Sequence, residues 1–280
     1  MHYLRRRWIN RIAQTGAVLC TMAVLLPLVL IFAYLISKGV TAINLDFFTQ
    51  LPKPVGQAGG GMANAIVGTM ILIGLACVFG LPIGVLAGVY LAEYGHNRFG
   101  WLVRFGADVL TGVPSIVVGI YAYTLIVRPM HTFSAYAGGF ALGVIMLPIV
   151  TRTTEEMVKL VPGSLREAAL ALGVPTWRAT IWVVMRTARG GIVTGIMLAV
   201  ARISGETAPL LFTAFGNQFW HHGLDGPISS LPVQIYTYAI APFDDWHRQA
   251  WAGALVLLVL ILLTSAAVRL ATRGRVRATV

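Results

Sequence analysis

Residues 63–91 read ANAIVGTMILIGLACVFGLPIGVLAGVYL and contain no Asp, Glu, Lys or Arg. Because about 20 apolar residues in a helix cross the hydrocarbon core of a bilayer, this stretch is long enough to be a transmembrane helix. A further run, 190–215, is equally apolar except for Arg202 and Glu206. Uncharged runs also occur at 12–37, 109–127, 132–151 and 249–268. The sequence therefore predicts an all-α polytopic membrane bundle of six transmembrane helices.

The composition of the whole chain agrees with this prediction. The 280 residues are 57% hydrophobic and 11% charged, with a mean hydropathy of +0.78. Soluble domains are about 45–50% apolar and about 25% charged, so a soluble globular domain is excluded. Disorder is excluded too, because disordered chains are poor in apolar and aromatic residues. Since the apolar excess extends over the whole chain, we expect one transmembrane domain, 1–280.

The distribution of Lys and Arg predicts the orientation of the chain. With the N-terminus inside, the inner connections hold 16 of these residues and the outer connections hold four. Positive flanks remain in the cytoplasm, so we expect both termini to be cytoplasmic. The formal net charge of +11 is then a topology signal, which favours membrane lipid and excludes nucleic acid as a partner. The outer stretch 216–247 contains an apolar run, 228–241, that is too short to cross and predicts an interfacial or re-entrant helix.

The longest inner connection, 152–189, has the signals of local helices. Ser164 and Glu167 are spaced as a capping box, and Gly173 followed by Pro175 is typical of a helix end. These signals predict a two-turn helix over 165–172. A second helix is predicted from Thr176 onward, with an apolar stripe at Trp177, Ile181 and Met185.

The sequence Glu167-Ala168-Ala169, with Gly173 six residues after the glutamate, resembles the EAA loop of ABC-transporter inner-membrane subunits. The resemblance implies that loop 152–189 is cytoplasmic and supplies a coupling helix that docks on an ATPase subunit. The family pattern continues with Ile-x-Leu-Pro, whereas this chain has Val183, Met185 and Arg186 there. The alternative interpretation is that Glu167 only caps a solvated helix.

A nucleotide site of the P-loop type is excluded by the lysines. Such a loop requires Gly before its Lys, and Lys38, Lys53 and Lys159 follow Ser37, Pro52 and Val158. We therefore expect that this chain is not an enzyme and holds no cofactor, and that ATP is bound by a separate subunit.

Arg202 and Glu206 are the charged residues placed well inside a predicted span, where each is costly. At a spacing of i, i+4 they share one helix face and can pair. Two interpretations are open: a structural salt bridge within the bundle, or a face that lines a translocation path.

The stretch Ala201-Arg202-Ile203-Ser204-Gly205-Glu206-Thr207-Ala208-Pro209 is similar to a signature of phosphate-importer permeases of the PstA type. The resemblance extends from about residue 60 to about residue 255. It implies the fold of an ABC importer type I permease in a bacterial inner membrane, with Arg202 and Glu206 important for transport. It also implies the partners: a second six-span permease, a pair of ATP-binding subunits, and a periplasmic or extracellular phosphate-binding protein.

Other functions fit some of these features. A permease for another oxyanion, such as sulfate or molybdate, fits the same architecture. A secondary transporter or channel would use Arg202 and Glu206 as an ion relay, but it does not need the structured loop 152–189. For an intramembrane enzyme, the spans lack paired Asp residues, a Ser-His set and a His-Glu-x-x-His motif. Adjacent His221 and His222 point apart in an extended loop, so we expect no metal site.

Overall fold

The computed structural model describes residues 2–54, 57 and 59–273, and within those ranges it contains helices and no β-strand. The helices, in chain order, are α1 (His2–Gly39), α2 (Leu45–Thr49), α3 (Ala63–Glu93), α4 (Arg98–Gly112), α5 (Ser115–Ala122), α6 (Arg128–Met130), α7 (Ala135–Lys159), α8 (Gly163–Ala171), α9 (Thr176–Arg178), α10 (Met185–Ser204), α11 (Ala208–Thr213), α12 (Leu231–Ala239) and α13 (Asp244–Arg273). Wider π-helical turns at Tyr123–Val127 and Ala179–Val184 join α5 to α6 and α9 to α10.

Within the described part of the chain, six segments have the length and apolar character of membrane spans when the bent pair below counts as one. Five are single helical runs: α1, α3, α7, the run Thr176–Ser204, and α13. The sixth consists of α4 together with Ser115–Met130. The predicted all-α bundle is therefore confirmed. Arg275 and Arg277, which contributed to the predicted orientation, lie outside the described residues.

The centre of the bundle is the contact between α3 and α7, which pack closely through glycines. On α3, Gly80, Gly84 and Gly88 follow one another at intervals of four residues and face α7. A methyl group at Gly88 would lie 2.6 Å from the Cβ atom of Thr154, and one at Gly84 would lie 2.9 Å from the Cβ atom of Val150. Small residues at this spacing allow two helix backbones to approach closely in a membrane. The helices α4, α5, α10 and α11 pack on this pair, whereas α1 packs on α13.

The third span corrects the prediction of an unbroken helix over 109–127. The helix stops at Gly112 and restarts at Ser115 with a bend of 104°. Pro114 disfavours helical geometry in Val113 and has no N–H for the helix ladder, and both residues are extended, with ψ of 135° and 128°.

The fifth span corrects both the predicted span 190–215 and the predicted loop 152–189. The helical run starts at Thr176 and stops at Ser204, and α11 follows only at Ala208. The helix α7 extends to Lys159, so the connection between the spans is reduced to residues 160–175. The charged residues of 176–189 favour a loop when charge is the criterion. They lie instead at the start of a long helix, which can carry charges at its end.

The apolar segment after residue 227 packs against α3 and α13. The backbone N–H of Leu231, at the start of α12, donates to Oγ1 of Thr69 within α3 at 2.8 Å. From there α12 returns along α13, with Tyr238 stacked on Trp246 at a centroid distance of 4.4 Å. The segment thus forms a short helix that packs on both α3 and α13, and its interfacial or re-entrant position stays a prediction.

Candidate functional site

The short helix α8 carries the residues predicted to couple to an ATPase. It begins at Gly163, and its N-cap is Pro162 without a side-chain hydrogen bond, so the predicted capping box of Ser164 and Glu167 is not formed. Its end matches the prediction in physical detail. Gly173 has φ of +75°, and its N–H donates to Leu170 O while that of Val174 donates to Ala169 O. These two bonds form a Schellman motif, which requires a left-handed residue at the position of Gly173.

The two alanines of α8 face different surroundings. Ala169 is 6% exposed, and α8 packs on the π-helical turn Ala179–Val184. Glu167 and Ala168 lie on the exposed side. Three exposed leucines extend this side of α8 and its C-terminus: Leu165, Leu170 and Leu172. If the helix α8 docks on an ATPase, the sequence motif would place both alanines on the docking face. The structure excludes this for Ala169, because this chain itself covers it.

A cluster of ion pairs joins the helices close to α8. Glu155 on α7 is 2% exposed and accepts from Arg104 Nε at 2.6 Å, Lys159 Nζ at 2.6 Å and Arg152 Nη1 at 3.1 Å. Arg152 also binds Asp108 at 2.6 Å. Arg104 donates in addition to two main-chain carbonyls near the end of α3. We call the end of the bundle that holds these five residues the basic end.

Sequence reasoning used the cations of the basic end for topology and did not identify the cluster. In the sequence, Glu155 looks like an ordinary charge at the end of a span. In the structure, α4 supplies one of its three cations and α7 itself supplies the other two. A buried carboxylate in a membrane protein needs such partners, so an acidic residue four positions before Lys159 was a usable signal.

The second predicted site is formed by Arg202 and Glu206, and the structure changes its setting. Arg202 is in the last turn of α10, whereas Glu206 lies beyond the helix end, in the break between α10 and α11. Arg202 Nε and Glu206 Oε1 are 4.0 Å apart, with the side chains 56% and 17% exposed. At this distance the two charges attract without a hydrogen bond. The two residues thus form an ion pair, as their spacing predicts, but the helix ends between them. Within the described residues, the guanidinium of Arg202 has no hydrogen-bond acceptor.

Packing places this site near the middle of the bundle. Gly195 of α10 lies against Thr153 of α7, and Gly191 lies against Met157. The two helices are antiparallel, so each residue further along α10 is level with one residue earlier in α7. Arg202 is therefore level with the middle of α7. The helix is interrupted two residues after Arg202, and Pro209 contributes to the break because it cannot donate to the carbonyl of Gly205.

An open groove runs from the basic end toward this break. It has a volume of about 580 Å³ and lies between α7, α10 and α13. On α10 it is lined by small and apolar residues from Gly190 through Thr194 to Ala201, which precedes Arg202. Arg269 of α13 lines it as well. The groove thus follows one side of α10 and reaches the residue before Arg202.

The sequence has close relatives among characterised families. Residues 80–277 match the model of the family described as "Binding-protein-dependent transport system inner membrane component". The chain is 50% identical over 271 residues to the phosphate transport system permease protein PstA of Xylella fastidiosa, covering 95% of this chain and 93% of the relative. It is 48% identical to the protein of that name in Yersinia pestis, covering 92% and 88% of the two chains. It is 38% identical to PstA 1 of Mycobacterium tuberculosis, covering 97% and 92%.

Solved structures show the same fold. The chain matches an inward-facing MetNI methionine ABC transporter with a TM-score of 0.56 at 20% identity, over 78% of this chain and 93% of that one. It matches an amino acid ABC transporter with a TM-score of 0.55 at 20% identity, over 75% and 92%. The predicted architecture of an ABC importer type I permease is therefore confirmed.

Proposed function

Because the chain belongs to the family of binding-protein-dependent transport system inner membrane components, we propose how it acts as the permease subunit of an ATP-driven phosphate importer. The relatives at about half identity are phosphate permeases, which favours phosphate over sulfate or molybdate. Arg202 carries the proposal for the path. A guanidinium that is 56% exposed at mid-depth of the bundle cannot face lipid without a large cost. It therefore faces a polar space in the assembled transporter.

The chemistry of Arg202 suits an oxyanion. Its planar guanidinium offers five N–H donors and can bind two phosphate oxygens at once. Glu206, 4.0 Å away, reduces the cost of holding the charge in the membrane and leaves most donors available to the anion. The break after Ser204 exposes polar backbone, which membrane proteins tolerate where it is buried in protein or lines a cavity. Phosphate would then leave along the groove beside α10.

Coupling to ATP hydrolysis is assigned to α8. Its exposed side, with Glu167, Ala168 and the three leucines, is apolar enough to dock in a cleft of an ATPase subunit. Gly173 ends α8, and the chain then continues toward α10, which carries Arg202. The lysines rule out a P-loop in this chain, so we assign ATP binding and hydrolysis to a pair of partner subunits.

The remaining partners follow from the exposed surfaces. The exposed side of α10 that carries Arg202 needs a cover, and we assign it to a second six-span permease, so that the path lies between two chains. A phosphate-binding protein would deliver the anion at the end opposite the basic end. We place the basic end and both termini in the cytoplasm, on the basis of the excess of Lys and Arg in the inner connections.

The path assignment is tested with Arg202→Gln in the complete transporter reconstituted in vesicles. Gln keeps polarity while removing the charge, so phosphate uptake should fall by at least about tenfold, as expected when a charge-assisted bond to the transported ion is lost. The double variant Arg202→Gln with Glu206→Gln removes both charges. If Arg202 only balanced Glu206, the double variant would regain uptake, and that recovery at normal membrane abundance would refute the assignment.

A further inference from the structure

Arg166 on α8 makes an unusually complete set of contacts. Its Nε and Nη2 atoms donate to Oε1 of Glu93 at 3.2 and 2.8 Å. Nη1 donates to the carbonyl of Val161 at 2.6 Å, and Nη2 donates also to that of Val158 at 2.9 Å. Glu93 is the last residue of α3, and Val158 is in the last turn of α7. One side chain therefore binds α8 to the ends of both helices of the central pair.

The burial of the Arg166–Glu93 ion pair and the close packing of α3 on α7 limit movement at this contact. The side chain of Glu93 is 11% exposed and that of Arg166 is 27% exposed, so water screens the pair less than it would an ion pair on an open surface. The helices α3 and α7 are themselves held together through Gly80, Gly84 and Gly88. A displacement of α8 that preserves the Arg166 contacts must therefore move α3 and α7 together.

The helix α8 is also attached to a different helix. It packs on the π-helical turn Ala179–Val184, and this turn continues into α10, which ends two residues after Arg202. The helix α8 thus has two attachments: Arg166 joins it to α3 and α7, and its packed side joins it to the helix that carries Arg202. Removing the first attachment would leave the second in place.

We propose that Arg166 and Glu93 form a positioning pair that transmits the movement of α8 to the α3–α7 pair during transport. This inference rests on the proposed function, because it assumes that an ATPase displaces α8. Without the pair, the ATPase would still dock on the exposed side of α8, but its movement would reach α10 without a matched movement of α3 and α7. ATP would then be hydrolysed with little phosphate transported.

The experiment measures phosphate uptake and ATP hydrolysis together, in vesicles that contain the complete transporter and phosphate-loaded binding protein. Glu93→Gln keeps the size of the side chain and removes its charge. We expect the phosphate transported per ATP to fall by about tenfold, within the range of a typical coupling free energy. Arg166→Lys should lower the ratio as well, since one ammonium cannot reach Glu93 and both carbonyls at once. The ATPase should co-purify with both variants at the wild-type level.

The control is Asp245→Asn, which breaks the exposed Arg248–Asp245 pair at the start of α13, and its ratio should equal that of the wild type. A wild-type ratio in Glu93→Gln would overturn the inference. Loss of uptake together with loss of the bound ATPase or of the chain itself would also overturn it, because the pair would then serve only folding. Failure of the proposed function is distinguishable, since the wild-type complex would then take up no phosphate.

Discussion

Ala168 and Ala169 are adjacent in the sequence, yet they face different surroundings. Ala169 is 6% exposed because other parts of this chain cover it, whereas Ala168 lies on the exposed side of α8. We predict that Ala168→Arg prevents docking of the ATPase while the chain still folds, because a long charged side chain would have to lose its water in a closely packed interface.

Ala169→Arg is the matched comparison for that prediction. It places the same side chain against Ala179–Val184, where overpacking costs about 1–3 kcal/mol before the buried charge is counted. We therefore expect it to lower the thermal stability of the chain alone in detergent. Co-purification of the ATPase and thermal unfolding are measured for both variants. A normal amount of bound ATPase in Ala168→Arg would contradict the docking assignment.

Arg202 shows what a residue pattern can and cannot predict. Its type, its position in an apolar run and its spacing from Glu206 predict a site. The exposure of 56% and the separation of 4.0 Å could not be predicted, because they depend on where α10 ends. That end is set by Gly205 and Pro209 together with the packing of α11.

At the scale of helices, the boundaries of a span could be predicted where charged residues mark its ends. The span predicted at 63–91 is the helix Ala63–Glu93, since its boundaries coincide with a glycine-rich loop and a charge. The third span is broken at Pro114 inside an uncharged run, so a count of charges could not detect the bend. The glycine spacing on α3 was visible in the sequence, but its partner helix became known only from the packing.

The α3–α7 contact yields a prediction with an internal control. Gly88→Ala would place a methyl group 2.6 Å from both Thr151 O and Thr154 Cβ, so the helices must separate, at a cost of about 1–3 kcal/mol. Gly74 lies in the same helix, and among the described residues a methyl group there would meet nothing within 4 Å apart from the nearby backbone of its own helix. Gly74→Ala should therefore be neutral or slightly stabilising. Thermal unfolding of the purified variants in detergent measures both effects. Equal stabilities of the two would mean that the glycines do not set the helix separation.

For the molecule as a whole, the ion pairs of the basic end and the distribution of Lys and Arg both bear on which end of the bundle is cytoplasmic. Glu155 and its three cations lie at the end of α7 that leads into α8, and the exposed side of α8 is the proposed ATPase surface. ATP is hydrolysed in the cytoplasm, so the basic end has to be cytoplasmic if α8 docks there. The excess of Lys and Arg in the inner connections gives the same orientation independently.

The orientation is testable with thiols in a chain that lacks Cys20 and Cys77. Ser164→Cys lies at the start of α8, and His222→Cys lies in the loop between α11 and α12; both native side chains are exposed. A membrane-impermeant maleimide applied to intact spheroplasts should label the thiol of His222→Cys and leave that of Ser164→Cys unmodified. After permeabilisation, both should react to the same extent, which controls for local accessibility. If Ser164→Cys reacted in intact spheroplasts, α8 would lie outside the cell, where no ATPase could reach it, and the assigned coupling would fail together with the orientation.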